Sequence, residues 1–384
     1  MATFELEKLG SPFKEMLENY LLAREQYPVG FSSMHWDVFP DDYEKTISST
    51  SAWNSFLRNA ISIGFNDEIM KLENQRWHEA SDETQIDVWS MRKEHDYRDL
   101  MEGIENKDSL IKSFGLVCAV CSIKFVLESL GSDTGSPLIG TLSVKLTEPS
   151  FDIATGKSEQ KTAEHFVSCN GFDLGTIYYF WQISRVMDEL TTTDRPLVAE
   201  IGPGYGLLIS KIKKRYPQSR CVLFDLPEMS AVQLYYLSCE FPEAKILHYK
   251  DLTECKLSFI ELDFDFLILP GWMIESMPEN YVDVFINMRS MMEMNKSTIK
   301  YYFDHIHRTM KDHGIFACFN RYEKNTADQP SVLKFYPYDD YWSIVISQAS
   351  IFQGHIHDLI LKRQAEKNKL PVSQTLKSLP PFNI

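Results

Sequence analysis

The sequence predicts an α/β protein in which a doubly wound, mostly parallel sheet over residues 174–384 follows a mainly helical region, residues 1–173, with a small β-arm. Three observations carry this. Beyond Arg195-Pro196, short apolar runs alternate with longer amphipathic segments. The runs are continuously apolar, as in strands covered on both faces. Between Ser11 and about Leu130, apolar residues instead recur every three or four positions, the period of a helix.

Taken in order, "SPFKEMLENYLLAREQ", "SAWNSFLRNAISIGF" and "SLIKSFGLVCAVCSIKFVLESL" read as helices punctuated by proline and glycine. "GSDTGSPLIGTLSVKLTEPSFDIATGKSEQK" mixes turn residues with short β-branched runs and reads as a loop or β-arm. "LGTIYYFWQISRVMDEL" returns to helix. Then come strand "LVAEI", helix "YGLLISKIKKRY", strand "RCVLFDL" and helix "MSAVQLYYLSCEF". The third strand is either "KILHY" or "FDFLILP"; the second is preferred because "LPGWM" then supplies a turn and an apolar slab. "YVDVFINM" is the fourth strand, "STIKYYFDHIHRTMKDHG" a helix with His313 near its C-terminus, and "IFACFNR" the fifth strand. The tail "SQTLKSLPPFNI" reads as irregular.

The chain has 384 residues and a formal net charge of -15, from 39 Lys and Arg against 54 Asp and Glu. That average field repels nucleic acid and anionic membrane surfaces, so neither is expected as a partner. No apolar run approaches a membrane span, and the acidic "MATFELEKLG" lacks the form of a secretory signal, so a cytoplasmic protein is expected. Seven scattered cysteines show no metal-ligand spacing, and no metal is expected. Cys118 and Cys121 read as small core residues, and "KIKKR" as a solvated helix face.

The first strand runs into "AEIGPGYG", an acidic residue followed by three glycines at alternate positions. Strand, glycine-rich turn and helix lay a cofactor across the carboxyl edge of a sheet. A dinucleotide fingerprint would need glycine at position 207, which is leucine, and the carboxylate of Glu200 would oppose a pyrophosphate. A cofactor carrying an ammonium and a sulfonium, S-adenosylmethionine, would welcome it. Asp225, ending the next strand, suits both ribose hydroxyls. The expected cofactor set is Glu200, Gly202, Gly204, Tyr205, Gly206, Asp225 and Leu226. Pro270, Gly271 and Trp272 join it at the adenine, and Asn287 near the methyl.

With these residues in place the chain resembles the class I S-adenosylmethionine-dependent methyltransferases, whose catalytic domain is Rossmann-like. "EIGPGYG", "FDLPE" and "FINMRSMMEMN" make it similar to the bacterial family of sugar O-methyltransferases, over about Gly175 to Arg321 and more loosely at "GSPLIG". The resemblance implies methyl transfer to a hydroxyl of a sugar or nucleotide-linked glycan precursor, with an aromatic or polyketide hydroxyl and a non-catalytic binding module as rivals. The helical region would then shape the acceptor pocket, and a homodimer is compatible with it.

Glu293 is the expected general base, in an apolar surround of Met291, Met292 and Met294, with His355 and His357 of "FQGHIHD" and then His248 as fallbacks. A surface loop is the plainer reading of that histidine pair. Ser290, Asn295, Asn320, Arg321 and Tyr178 are expected to face the acceptor.

Overall fold

A computed structural model describes residues 12–28, 31, 43–47, 107–131, 142–147, 164–169, 171–255, 259–324 and 330–379. The segments "SAWNSFLRNAISIGF" and "GSPLIG" lie outside the described residues. The chain divides into two compact units, 56–182 and the combination of 1–55 with 183–384.

In the first unit, helices Lys107–Val120 and Ile123–Gly131 pack on an antiparallel pair, β1 (Leu142–Thr147) and β2 (Glu164–Cys169). The single helix expected over Ser109–Leu130 is interrupted at Cys121 and Ser122. Cys121 is buried at the break while Cys118 is half-buried. Helix Gly171–Leu190 begins in this unit, where Phe180 stacks on Phe125 at 5.3 Å.

The second unit is built on an eight-stranded sheet. In chain order its strands are β3 (Leu197–Ile201), β4 (Arg220–Asp225), β5 (Ile246–His248), β6 (Phe266–Pro270), β7 (Val282–Met288) and β8 (Met310–Arg321). A small pair, β9 (Glu323–Lys324) and β10 (Ser331–Val332), precedes the last two sheet strands, β11 (Trp342–Ala349) and β12 (Ile356–Arg363). The spatial order is β11-β12-β8-β7-β3-β4-β6-β5. From β5 to β8 neighbours are parallel; β12 and β11 add antiparallel. This is the Rossmann-like, doubly wound architecture. The central strands read as unbroken apolar runs because both their faces are covered: every residue of β3 and β6 is buried.

The chain leaves β3 toward β4 and the β6–β5 edge, then returns to the other side of β3 as β7. The crevice at that reversal, outside the strand carboxyl ends, is where open α/β sheets bind ligands. "FDFLILP" is the strand beside β4, and "KILHY" supplies a further edge strand.

Helix Pro12–Glu25 also belongs here, although the expected boundary at residue 173 would place it elsewhere. It packs on helix Pro227–Glu240 and on the 249–255 helix, with the Lys250 ammonium 2.5 Å from Glu18 and His248 Nε2 2.9 Å from Glu15. Tyr43 donates to the Glu228 carbonyl at 2.8 Å. Ala23 joins the apolar core of the sheet unit, with Leu22, Tyr27 and Phe31 packed against it; that pairing is invisible to local periodicity.

Three further expectations change. "KIKKR" is not a solvated face: Lys211 and Lys213 are buried, Lys213 reaches Ser219 O and Asp265, and Lys214 pairs with Glu240. Helix Lys296–Thr309 stops before His313, which lies inside β8 at a φ of 67°. Val372–Leu376 of the tail is a short helix. No helix among the described residues is long and apolar enough to cross a membrane.

Candidate active site

The site forms where β3, β4, β6 and β7 end. Gly202, Gly204 and Gly206 all take positive φ, at 65°, 60° and 100°, so the loop turns without clash and enters helix Leu207–Arg215. Two of these glycines are required for different reasons. A Cβ on Gly202 would lie 2.2 Å from Ser290 Oγ, whereas one on Gly204 would point into open space. Backbone at Gly204 is therefore left bare toward the crevice.

Beneath the loop, Glu200 has no exposed surface, and neither of its carboxylate oxygens has a hydrogen-bond partner. Burial, then the like charge of Asp225, pushes Glu200 up to about 8, with the nearby Ile209 amide, which falls short of hydrogen-bond geometry, working weakly against the rise. Asp225 accepts from the Leu226 amide at 2.8 Å and from Gln233 Nε2 at 3.0 Å. Burial still raises it to about 7, against those hydrogen bonds. Gln233 also donates to Gly204 O at 2.8 Å, while its own Oε1, buried, is left without a partner. Gln233 thus ties the loop to the second strand. Its signal in the sequence, a polar residue two turns into an otherwise apolar helix, is faint.

Tyr205 packs edge-on against Tyr236 with ring centroids 4.9 Å apart. Leu226 is the residue before helix Pro227–Glu240, and Pro270 sits opposite Asp225 in the sheet register. Gly271 follows, and a Cβ there would collide with the Tyr302 hydroxyl at 2.1 Å and with Phe31 at 2.9 Å. Trp272 is buried, with Tyr27, Phe31 and Tyr249 all edge-on to it at 5.4, 6.3 and 6.2 Å. Its place is in an aromatic core cluster, the alternative that a ring at this position always carries.

Asn287 is corrected from cofactor contact to frame. Its amide nitrogen donates to Ile201 O and Ser290 Oγ, and its oxygen accepts from the Met291 amide and Asn320 Nδ2. No polar atom of Asn287 remains for a ligand. Ser290 donates onward to Ile201 O, and buried Asn320 accepts from the Met292 amide, so both brace the turn from behind instead of facing an acceptor. Asn295 caps helix Lys296–Thr309 by accepting from the Thr298 amide at 2.8 Å. Polar residues after a strand look alike in sequence whether they face a ligand or close a turn.

Glu293 lies beyond this turn, but not in the apolar surround expected. Lys324 Nζ approaches Glu293 Oε1 to 2.6 Å, with side-chain exposures of 8% and 14%, so the pair is largely withdrawn from water. Burial lowers Lys324, Glu293 opposes that, and Arg321 and Arg289 reinforce it as neighbouring like charges. Arg289 holds a φ of 65°, a strained value for a side-chain-bearing residue at the end of β7. The sequence reading missed Lys324 and Arg289; "MR" and "EK" at strand ends carry no distinguishing pattern.

Of the histidine pair, His355 lies in a turn, as the plainer reading expects, and only His357 does not. His357 is buried on β12, opposite Asn320, with Nδ1 3.0 Å from the Tyr322 hydroxyl and Nε2 2.9 Å from Ser347 Oγ. Burial lowers it to about 4, so it is neutral at pH 7. Both ring nitrogens are used by hydroxyls, which removes it as a direct base. His355 precedes the strand, half-buried. His248 is held between Glu15 and Asp251 on the edge strand. Tyr178 is buried in the other unit, where its hydroxyl accepts from Gln182 Nε2.

No family description matches the sequence, and no curated protein matches it. Solved structures align with part of it. The pyocyanin biosynthetic protein PhzM aligns at 14% identity over 50% of this chain and 57% of its own, with a TM-score of 0.32. An S-adenosylmethionine-dependent methyltransferase from Aquifex aeolicus aligns at 12% identity, 47% and 88% coverage and a TM-score of 0.29. Geranyl diphosphate C-methyltransferase from Streptomyces coelicolor, solved with S-adenosyl-L-homocysteine, gives 12%, 48%, 75% and 0.33. The chain spans just over half the length of the first of these.

Proposed function

We propose that this protein is an S-adenosylmethionine-dependent O-methyltransferase acting on a hydroxyl of a sugar or nucleotide-linked glycan precursor. The observation that carries the cofactor is Glu200, a fully buried carboxylate with two unpartnered oxygens beneath a glycine loop whose backbone is bare at Gly204. Buried polar atoms are almost always satisfied, and an unsatisfied pair in a crevice calls for a ligand that donates. A pyrophosphate would add negative charge to Glu200 and Asp225; a cationic amino-acid moiety would neutralise it. The residues fit the group.

S-adenosylmethionine, when bound, supplies an electrophilic methyl on a sulfonium. The chain's own residues do the rest. Asp225 accepts hydrogen bonds from the ribose hydroxyls, Gly204 lets backbone approach, and Glu200 with Gln233 Oε1 draws the cationic end inward. Glu293, the carboxylate partner of Lys324, accepts the proton of the acceptor hydroxyl, a contribution worth ~10²–10⁴ in rate. Sugar as the acceptor draws its support from the "FDLPE" and "FINMRSMMEMN" motifs. The aromatic-hydroxyl alternative would need a mostly apolar pocket, and the charged Glu293–Lys324 pair at the acceptor side argues against it.

The test is calorimetric titration with S-adenosylhomocysteine and with reduced nicotinamide dinucleotide, then incubation with methyl-labelled S-adenosylmethionine and a pool of nucleotide sugars. Binding of S-adenosylhomocysteine and label in a sugar nucleotide are expected. Binding of the dinucleotide alone would overturn the cofactor, and label appearing only in aromatic acceptors would overturn the substrate class.

A further inference from the structure

A cleft of about 720 Å³ opens between the start of helix Lys296–Thr309 and the segment from β10 to Pro337. That volume falls in the range of pockets that hold a nucleotide-sized ligand. Its chemistry is unusual for a chain of net charge -15. Lys296, Lys300 and Lys334 line it, against a single carboxylate, Glu323. Lys300 shares its charge with Asp304 at 2.5 Å, while Lys334 lies 5.6 Å over the Phe335 ring. A concentrated positive patch within a negative field focuses anions locally.

The walls are aromatic. Tyr322, Phe335 and Tyr336 line the cleft, and Phe335 is 70% exposed, a large ring left in water beside Lys334. Exposed aromatic faces next to cationic side chains are the elements that stack a base while neutralising its phosphates. Tyr322 is held in place through its hydroxyl by buried His357, so this wall is set from behind.

The cleft also adjoins the site already described. Strands β9 and β10, which contribute Glu323, Ser331 and Val332 to the lining, pack on the Met291–Glu293 turn. Lys324, next to Glu323, is the partner of Glu293. Arg289 and Arg321 crowd Lys324 electrostatically, so the rim between cleft and sheet edge is cationic too.

We propose that this cleft binds the base and diphosphate of a nucleoside diphosphate sugar, with Lys296 and Lys334 on the diphosphate and Phe335 on the base. The sugar then extends along the Lys324 rim toward Glu293. The role of that sugar as methyl acceptor rests on the function proposed above; binding in the cleft does not.

The full-length protein is titrated by calorimetry at low salt with the diphosphates of uridine, guanosine, cytidine and thymidine, and separately with uridine and with inorganic pyrophosphate. At least one nucleoside diphosphate is expected to bind tenfold or more tightly than pyrophosphate or uridine. The Lys296→Glu/Lys334→Glu variant should weaken it by at least about tenfold, and Phe335→Ala by a similar factor, with S-adenosylhomocysteine affinity unchanged in both. Lys296 and Phe335 are exposed and Lys334 is half-buried with a hydrogen bond to Leu379 O, so the retained S-adenosylhomocysteine affinity also reports folding. Failure of all four diphosphates to bind, unchanged affinity in the lysine variant, or equal affinity for bare pyrophosphate overturns the proposal. If the diphosphate binds and S-adenosylhomocysteine does not, the cleft stands and the cofactor reading falls.

Discussion

At Gly204 a side chain would enter empty space and still be costly, because the residue holds a φ of 60° and any Cβ points where the cofactor is proposed to lie. Gly204→Val should therefore abolish S-adenosylhomocysteine binding in a folded protein; unchanged calorimetric affinity would remove the loop from the site. Asp225→Ala deletes charge-assisted hydrogen bonds of ~1.5–3 kcal/mol each, so affinity should fall at least about tenfold. Glu293→Gln separates two roles. As base, Glu293 is needed for a single-turnover methyl-transfer rate that should drop ~10²–10⁴-fold in the variant, with homocysteine affinity intact. As ion-pair partner, its loss strands a buried ammonium at a cost of about 3 kcal/mol, which Lys324→Met in the same chain should relieve. Rescue of both melting temperature and rate by that second change would leave Glu293 a structural residue only.

Two strand ends, β3 and β4, each deliver a carboxylate to the same crevice, and the consequence is a pH dependence. Glu200 at about 8 and Asp225 at about 7 both lie above their ordinary carboxylate values. In the ligand-free protein the folded state holds protons that the unfolded chain releases near pH 4, so stability declines as pH rises from about 5 to 8 and levels beyond it. A cation in the crevice favours the ionised forms, so S-adenosylmethionine affinity should increase over the same interval. Glu200→Gln should flatten both trends; melting and binding curves across pH 5–9 that match those of the unaltered protein would refute this coupling. The helix after β7 illustrates the opposite case. Asn295 serves as its cap, so Asn295→Ala should cost about 1 kcal/mol of stability without changing cofactor affinity.

For the whole molecule, the proposed binding at a crevice shared by β3, β4 and their following helices would tie the ligand to the integrity of the sheet. Saturating S-adenosylhomocysteine at about 100 times its dissociation constant should stabilise the unit holding that sheet by about 2.7 kcal/mol. Helix Pro12–Glu25 belongs to that unit through helix Pro227–Glu240, so removal of residues 1–55 should lower its melting temperature even though the glycine loop is far away in sequence. An unchanged melting temperature in the truncated chain would show that this packing contributes nothing.

Sheet strands β3, β4, β6 and β7 were legible from the sequence because burial on both faces forces an unbroken apolar run, which is a local property. So was the glycine loop, since left-handed backbone selects glycine at each turn, and so was the acidic residue beneath it. The fates of Asn287, Ser290, Asn295 and Asn320 were not, because a polar side chain after a strand satisfies itself on whichever neighbour folding brings near. The same holds for Glu293, whose partner Lys324 is 31 positions away, and for His357, whose burial depends on β8 and β11 pairing on either side of β12. What the sequence determined by itself was the set of elements whose signal is local backbone conformation and burial. Tertiary structure alone decided which polar atoms found partners, because hydrogen bonds and ion pairs are chosen by proximity in space, and proximity between distant positions leaves no periodic trace in one chain.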